Sequence, residues 1–185
     1  MKRIFLETER LILRDPKMND LEAHHALLSN EKVMRFLPDI KTTTRKESED
    51  NLRQAIAAVQ ETPRQFYFLV MEEKETGTYV GQVGYTVAAE TPLGKLVHMG
   101  YFIQEMFWGK GYMTEAVKCL LAFAFLEDDV IRVSTGCLKE NIASARVMEK
   151  CGMIKEADRK KFSWHEGALK DRLEYRLLKE EWEKI

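Results

Sequence analysis

Two glycines separated by a single residue stand directly before the most regular helical pattern of the chain. Residues 107–114 read FWGKGYMT, with the glycines at Gly109 and Gly111. Glycine lets the backbone come close to a ligand, and the first turn of a helix presents unpaired N–H groups at the positive end of its dipole. This arrangement favours an anion, in particular a pyrophosphate. For a Gly-x-Gly on its own, a tight strand-to-helix turn without a ligand is the alternative interpretation.

Two widespread phosphate-binding motifs do not fit this segment. A P-loop requires GxxxxGK followed by Ser or Thr, whereas Lys110 is followed by Gly111. A dinucleotide-binding fingerprint requires a third glycine near position 114, where this chain has Thr114, and it should follow the first strand of a βαβ unit. Neither motif therefore explains the paired glycines.

Three other polar residues are candidates for chemistry, and each also has a structural interpretation. His98 lies in an alternating segment, where a lone histidine can simply be a satisfied surface or half-buried residue. Asn141 suits the N-cap of the helix that follows it, and Ser144 occupies the N3 position of that helix.

The remaining histidines and the cysteines indicate neither a metal site nor a covalent nucleophile. His24, His25 and His165 have no partners at metal-ligand spacing, so we predict structural or surface roles for them and no metal. Cys151, directly before Gly152, is expected to be a small core residue. A cysteine nucleophile would need a nearby base that the sequence does not supply.

Hydrophobic periodicity predicts the elements that must position these residues. Alternation and β-branched or aromatic content mark the strands, and apolar residues at i, i+3, i+4 and i+7 mark the helices. The predicted strands are Thr8–Arg14, Phe66–Met71, Tyr79–Val87, Lys95–Ile103, Ile131–Leu138, Met153–Phe162 and Ala168–Leu177; the predicted helices run from Asn19 to Leu28, from Thr44 to Val59, from Gly111 to Ala124, from Asn141 to Cys151, and over the terminal residues 179–184.

Local signals fix several boundaries of these elements. Asn19 with Glu22, and Thr44 with Glu47, have the spacing of an N-cap and its N3 partner. Residues 165–167 (HEG) suit a three-residue hairpin loop with glycine at a positive φ. The predicted order is β-α-α-β-β-β-α-β-α-β-β. Hairpin-paired strands beside β-α-β units predict an α/β fold with a central mixed, mostly antiparallel sheet and helices on both faces.

Composition places the chain among soluble globular proteins. Its 185 residues suit one domain, 1–185, with 45% apolar and 32% charged residues and a formal net charge of −1. This balance gives no general attraction to nucleic acid or to an anionic membrane. The three cysteines contain no CxxC pair, and no signal peptide or membrane-spanning stretch is apparent, so we expect a cytoplasmic protein.

The sequence around the paired glycines resembles the acetyl-CoA loop of the GNAT superfamily. The resemblance begins with Gly100–Ile103, continues through residues 108–116 (WGKGYMTEA), and is closest to the branch of bacterial ribosomal-protein N-terminal (alanine/serine) acetyltransferases. Further similar blocks follow the family order along nearly the whole chain. They are Thr8–Arg14, Val33–Leu37, residues 139–153 (KENIASARVMEKCGM), and Asp171 with Tyr175.

The resemblance implies acetyl-CoA as co-substrate and assigns residues to it. The CoA pyrophosphate would be held by the Thr114 hydroxyl and by a row of backbone amides. The backbone of Phe102 and Ile103 would run beside the pantetheine, at a local splay from the strand Ile131–Leu138. Asn141 would contact the cofactor arm, and Ser144 would lie near the sulfur. The amides are those of Gly109, Lys110, Gly111, Tyr112 and Met113.

Two positions depart from the family pattern. Trp108 stands where the family loop often has Gln or Arg, and His98 stands where the family strand often has Glu, two residues before Gly100. The first departure hardly affects cofactor binding, while the second leaves the catalytic base to be identified. We hypothesise that His98 takes the proton of the acceptor amine, directly or through a water, since its ordinary pKa near 6.5 suits that task at neutral pH.

Acetyl transfer to an amine requires the neutral amine. A peptide α-amine with a pKa of ~7.7–8.0 is about a tenth neutral at pH 7, whereas a lysine at ~10.4 is neutral in well under a thousandth of molecules. A site without an obvious strong base therefore favours a protein N-terminus, attacked directly in a ternary complex. The alternatives are a small-molecule amine such as an aminoglycoside, polyamine or amino acid, and a non-catalytic acyl-CoA-binding module. We expect a monomer or homodimer, and acceptor loops near Met34–Asp39 and Ser163–Ala168.

Overall fold

A computed structural model describes residues 3–184 of the chain. Its strands and helices are given below with the labels used from here on. The strands are β1 (Phe5–Glu7), β2 (Leu11–Arg14), β3 (Phe66–Glu73), β4 (Tyr79–Thr91), β5 (Gly94–Ile103), β6 (Val130–Leu138), β7 (Ile154–His165) and β8 (Ala168–Leu178); the helices are α1 (Leu21–Leu28), α2 (Glu31–Met34), α3 (Arg45–Ala58), α4 (Tyr112–Glu127), α5 (Ile142–Lys150) and α6 (Lys179–Trp182), with single 3₁₀ turns at Met18–Asp20 and Glu105–Phe107.

The strands form one mixed sheet, as the sequence predicts. Its order is β1-β2-β3-β4-β5-β6-β8-β7. β5 and β6 are parallel, with His98 opposite Ser134. The pairs β1–β2, β2–β3, β3–β4, β6–β8 and β7–β8 are antiparallel. Among residues 3–184, no helix is both long enough and apolar enough to cross a membrane.

The prediction of one strand over Thr8–Arg14 is wrong in its bounds. The chain turns at Thr8, whose hydroxyl oxygen accepts from Leu11 N at 2.9 Å, and this turn separates β1 from β2. Leu11 and Leu13 are fully buried on one face of β2, as their alternation predicts. β1 gave no such signal because its residues are mostly exposed, with Phe5 at 60%.

The prediction of Asn19 as a helix N-cap is also wrong. α1 begins at Leu21 after a 3₁₀ turn, and its N-cap residue is Asp20. The Asp20 carboxylate accepts from Lys17 N at 2.8 Å and from Arg14 Nη2 at 2.7 Å. A tertiary ion pair therefore fixes this helix start, and a local capping pattern cannot reveal it.

Other local predictions are confirmed or shortened. Thr44 caps α3 by accepting from Glu47 N at 3.2 Å, and the Glu47 carboxylate accepts from Thr44 N at 3.1 Å, which completes the predicted capping box. The β7–β8 loop has two residues instead of three because His165 pairs with Ala168. Its two residues, Glu166 and Gly167, both have positive φ, at 47° and 75°, as the tightest hairpin turns require.

The chain divides into two compact units. The first contains residues up to Thr86 together with Gly100–Leu120, and the second contains Val87–Met99 together with the residues from Leu121 onward. Their cores are built from the buried faces of the elements named above. The first unit buries Leu27, Leu28, Met34, Val70, Tyr79 and Phe102 in one cluster, and the second buries residues such as Phe125, Val133, Leu173, Tyr175 and Leu177.

One ion pair of the first unit is fully enclosed. Arg64 Nη2 lies 2.8 Å from Asp15 Oδ1, and both side chains are 4% exposed. Two further polar atoms of the pair have partners as well. Ile4 N donates to Asp15 Oδ2 at 2.8 Å, Arg64 Nε donates to Phe66 O at 2.9 Å, and the guanidinium lies 4.6 Å from the Tyr67 ring centroid. The pair therefore joins the chain before β1 to the start of β3.

We predict that Arg64→Ala lowers the free energy of unfolding by about 3–5 kcal/mol, because it leaves the buried Asp15 carboxylate without its countercharge. Urea unfolding at neutral pH measures this change. The matched control is Arg53→Ala, which removes an exposed pair with Glu49 on α3 and should cost no more than about 0.5 kcal/mol. Equal losses in the two variants would contradict a dominant role for the enclosed pair.

Candidate active site

The loop at residues 108–111, called the glycine loop below, leads from a 3₁₀ turn into α4. Gly109 and Gly111 have φ values of 74° and 82°, which residues with a side chain rarely adopt. The space beside both glycines is open. A Cβ at Gly109 would meet nothing within 4 Å, and one at Gly111 would meet only Arg10 Nη2 at 3.5 Å. The glycines are thus required for the backbone path and leave the adjoining space to a ligand.

The N–H groups of residues 109–113 form the polar surface of this loop. Within residues 3–184 no group accepts a hydrogen bond from any of these five amides, whereas Trp108 N donates to Glu105 O at 3.1 Å just before them. α4 starts at Tyr112, so several of these amides belong to its first turn, where the helix dipole favours negative charge. The arrangement can accept an anion with several oxygen atoms.

Arg10 and Glu115 fix the loop to the start of β2. The Glu115 carboxylate accepts from Thr8 Oγ1 at 2.5 Å, from Arg10 N at 2.8 Å and from Arg10 Nε at 2.7 Å. Burial disfavours the charge of Glu115, but these hydrogen bonds outweigh it and keep the pKa of Glu115 below its usual value. Arg10 Nη1 also donates to Lys110 O at 3.0 Å. The loop is therefore held through a carbonyl oxygen, and its N–H groups are not used.

The first residue of α4 is fixed in the same way. The Arg10 guanidinium lies 4.3 Å from the Tyr112 ring centroid, and the Tyr112 hydroxyl donates to Glu73 Oε1. That hydrogen bond raises the pKa of Tyr112 and lowers the pKa of Glu73. The Tyr112 side chain is therefore buried and held by Arg10 and Glu73, and its backbone amide is left for a ligand.

Phe102 and Ile103, which the sequence assigned to the cofactor through their backbone, precede the glycine loop at the end of β5. The Phe102 side chain belongs to the core cluster of the first unit. Trp108 Nε1 donates to Ile103 O at 3.0 Å. This hydrogen bond gives the unusual Trp108 a structural role, and it occupies one of the backbone groups predicted to run beside the cofactor.

Asn141 and Ser144 meet at the β6–α5 junction in the second unit. Asn141 Oδ1 accepts from Ser144 N at 3.2 Å, which confirms the predicted N-cap. The Cys137 thiol donates to Asn141 O at 3.7 Å, and the Ser144 hydroxyl is hydrogen-bonded to the Cys137 sulfur. Burial raises the pKa of Cys137, partly offset by that hydroxyl. The Ser144 hydroxyl therefore already has a sulfur partner in the protein, the Cys137 thiol.

His98 lies on β5 in the second unit, on the side of the sheet that the core does not cover. Its side chain is exposed, although enough atoms crowd the ring for desolvation to lower its pKa. The Arg172 charge lowers that pKa further, and Glu174 acts in the opposite direction. Neither ring nitrogen makes a hydrogen bond to a protein group within residues 3–184. The imidazole is therefore neutral at pH 7 and available as a proton acceptor.

The comparison with known families decides between the interpretations of the paired glycines. The acetyltransferase (GNAT) domain family matches residues 10–154, which include the glycine loop, His98, Asn141 and Ser144.

The chain belongs to the GNAT acetyltransferase family.

Membership fixes the reaction as transfer of an acetyl group from acetyl-CoA, and it confirms the resemblance seen in the sequence.

Relatives of this GNAT protein differ in their acceptors. The uncharacterized N-acetyltransferase YnaD of Bacillus subtilis is 27% identical over 96% of this chain and 98% of its own. The fold is shared with the ribosomal-protein-S5-alanine acetyltransferase of Vibrio fischeri (TM-score 0.82, 22% identity, 97% and 98% covered). It is also shared with the spermidine N-acetyltransferase of Vibrio cholerae, solved with CoA and spermine (TM-score 0.80, 18% identity, 95% and 99% covered).

The remaining histidines of this family member are His24, His25 and His165, and the first two have protein hydrogen-bond partners. His24 is buried, with Nε2 2.9 Å from Asn51 Oδ1, and burial lowers its pKa. His25 Nδ1 lies 2.9 Å from Ser48 Oγ. For His165 the sequence prediction of no partners for a metal site is wrong. A ring nitrogen of His165 and carboxylate oxygens of Glu140 and Glu166 lie within 4.8 Å of one another. Lys170 Nζ, at 3.1 Å from Glu140 Oε2, already neutralises one of these carboxylates.

Sequence reasoning did not find the residues that fix the two parts of the site. Arg10 and Glu115 are 105 positions apart, so no local pattern links them. Arg172 and Glu174 are two positions apart on β8, and strand alternation could have placed them on one face. Their approach to His98 depends on which strands are neighbours in the sheet, which the sequence alone did not give.

Proposed function

We propose that this protein transfers acetyl from acetyl-CoA to the α-amine of a protein N-terminus, with 1–185 acting as one acetyltransferase domain. The observation that supports cofactor binding is the row of five amides at residues 109–113 without protein acceptors. These amides and the Thr114 hydroxyl hold the pyrophosphate, the backbone of Phe102 and Ile103 lies along the pantetheine, Asn141 contacts the cofactor arm, and Ser144 serves the sulfur.

The choice of amine rests on His98. With the ordinary imidazole pKa near 6.5, proton transfer from an α-ammonium of pKa ~7.7–8.0 costs about 2 kcal/mol, against about 5 kcal/mol from a lysine ammonium at ~10.4. Desolvation lowers the pKa of His98, which raises both costs and leaves the difference of about 3 kcal/mol unchanged. His98 takes that proton, the neutral amine attacks the thioester carbonyl, and the carbon–sulfur bond breaks. The Ser144 hydroxyl then hydrogen-bonds the departing thiolate. No covalent enzyme intermediate is needed, because the thioester is already activated.

A polyamine is the second candidate, because a neighbour in fold is a spermidine acetyltransferase. The charges near His98 disfavour it. By strand alternation Arg132, Arg172 and Arg176 lie on the same face as His98, and they are paired with Glu156, Glu174 and Glu181 respectively. A polycation would be favoured by an excess of carboxylates, whereas these three carboxylates are matched by three arginines.

We expect a peptide beginning with Ala or Ser to have the highest kcat/KM in a panel of amines, by at least about tenfold, because of the lower pKa of its amine. The panel also contains an N-terminally blocked lysine peptide, spermidine and an aminoglycoside. Thiol release from acetyl-CoA, with the product mass confirmed, measures the rates. A preference for spermidine would favour the polyamine candidate, and acetyl-CoA binding without turnover of any amine would indicate a non-catalytic module.

Gly111→Ala should weaken acetyl-CoA binding at least tenfold, equivalent to about 1.4 kcal/mol, because the added methyl group enters the open space beside the glycine loop that the pyrophosphate would use. The control is Gly77→Ala, since Gly77 has φ +68° in the β3–β4 turn and also has nothing within 4 Å of an added Cβ. Both variants incur the strain of a positive φ, about 1–2 kcal/mol, but only Gly111→Ala alters the glycine loop. If calorimetry gives Gly111→Ala the parental affinity for acetyl-CoA, the pyrophosphate does not bind at the glycine loop.

His98→Ala should reduce kcat by ~10²–10⁴-fold while leaving acetyl-CoA affinity unchanged, as is typical for loss of a general base. The base must be neutral, so the parental rate falls as the pH drops through the His98 pKa, below 6.5, and the variant should lack this limb. His25→Ala is the matched control and should keep the parental kcat. A kcat for His98→Ala within a few-fold of the parent, with an unchanged pH profile, would mean that the amine loses its proton to bulk water.

A further inference from the structure

The side chains of Arg172 and Glu174 lie directly on the backbone of β6. Arg172 Nε donates to Glu174 Oε1 at 2.9 Å. A Cβ on Gly136 would lie 2.4 Å from Glu174 Oε2 and 2.9 Å from Arg172 Nη2. Contacts this short do not occur at real Cβ atoms, so the ion pair occupies space that exists because residue 136 is glycine.

The two carboxylate oxygens of Glu174 have different surroundings. Oε1 accepts from Arg172 and lies 3.9 Å from Arg159 Nε. Oε2 receives no hydrogen bond from any group in the described range 3–184, and the side chain as a whole is 21% exposed. A carboxylate oxygen has room for about two donors. Oε2 is therefore an anionic acceptor without a donor in the described part of the protein, on a carboxylate that Arg172 orients through the other oxygen.

Glu174 and His98 share one face of the sheet. His98 is paired with Ser134 on β6, Gly136 is two residues further along β6, and Glu174 is paired with Gly136 from β8. The two residues are separated by two strand spacings, roughly 10 Å between backbones, because β6 lies between β5 and β8. The Glu174 charge still acts on the imidazole. An ammonium hydrogen-bonded to Oε2 would lie on the face of the sheet that carries His98.

We propose that Glu174 is a specificity-determining residue that binds the ammonium group of the acceptor beside His98, with Arg172 as the positioning residue that orients it. This rests on the proposed function, whose acceptor it restricts to a single ammonium group, because Arg172 already engages one of the two oxygens. Lysine and α-amines both fit this charge requirement, and His98 discriminates between them by pKa.

The proton balance gives the carboxylate a second consequence. One N–H of the ammonium donates to Glu174 Oε2, and another proton passes to the His98 imidazole, which becomes imidazolium as the amine becomes neutral. The nitrogen lone pair then forms the C–N bond while the carbon–sulfur bond breaks, and the second proton that the nitrogen loses passes to the departing thiolate, which leaves as the CoA thiol. The resulting amide carries no positive charge, so its attraction to Glu174 is lost. The carboxylate therefore retains the substrate and releases the product.

The test is Glu174→Gln, which keeps the shape of the side chain and an oxygen for Arg172 but removes the charge. L-alaninamide, a minimal α-ammonium, is titrated against the amide resonance of Gly136 by NMR. We expect its Kd, and the KM for the amine substrate, to rise ~10–100-fold, as for loss of a charge-assisted hydrogen bond. Acetyl-CoA affinity by calorimetry should not change. N-acetyl-alaninamide, which has no ammonium, should not shift the Gly136 resonance of the parent.

Two further variants control for folding and for general charge. Glu156→Gln removes a carboxylate on β7 that is paired with Arg132, and it should leave alaninamide binding at the parental level. Glu174→Asp keeps the charge and should bind alaninamide more tightly than Glu174→Gln does. If Glu174→Gln does not fold, Glu174→Asp carries the test. A Kd for alaninamide that rises ~10–100-fold in Glu174→Asp, the change expected for loss of the charge, would overturn the inference.

The inference and the proposed function fail in different ways. Parental alaninamide binding by folded Glu174→Gln, or binding of the acetylated amide, would overturn the role of Glu174 whether or not turnover is seen. Glu174-dependent binding of alaninamide without acetylation of any amine would overturn the proposed function and leave the ammonium site standing.

Discussion

The structure depends first on a helix start that the protein does not satisfy from within. Five consecutive amides, residues 109–113, have no acceptor in the described part of the chain. Such a backbone needs glycines at its positive φ angles, and it needs an anchor that keeps it in place without using the amides themselves. Arg10 and Glu115 meet this need because they act on the Lys110 carbonyl and on side chains, not on the N–H groups.

A different constraint governs the second unit, where strand alternation separates the core from the chemistry. Val133, Thr135 and Cys137 point into buried surroundings, and Thr135 donates to Met99 O at 3.0 Å from that side. The intervening positions carry Ser134 and Gly136, and the paired arginines and glutamates of β8 extend across them. A shift of one residue in the β6–β8 register would bury these charges and expose the core.

The presence of His98 in place of the glutamate frequent in this family changes the electrostatics of the acceptor side. A carboxylate at position 98 would attract Arg172. It would then compete with Glu174 for the Arg172 guanidinium. A neutral imidazole does not compete, and Arg172 hydrogen-bonds Glu174 instead. Under the proposed function two tasks fall to separate residues: His98 accepts the proton and Glu174 provides the charge.

The sequence by itself determined the elements and their local ends where the signal is local. Such signals are properties of a few adjacent residues: the alternation of Leu11 and Leu13, the capping box of Thr44 with Glu47, the N-cap at Asn141 and the glycines before α4. The mixed sheet was predicted from the order of the strands and helices. The resemblance to the GNAT family was carried by such short blocks as well, which is why the glycine loop and the residues from Asn141 to Ser144 could be named in advance.

Only the tertiary structure decided the interactions that no local pattern describes. The start of α1 was mispredicted because Asp20 is held by an ion pair with Arg14, which a capping pattern does not include, and the anchor of the glycine loop was missed because Arg10 and Glu115 approach each other across 105 positions. The environment of His98 was likewise set by strand order, which brings β8 beside β6 and thereby places Arg172 and Glu174 on its face. Periodicity specifies which side of a strand is buried, but the neighbours of that strand depend on the free energy of the whole sheet.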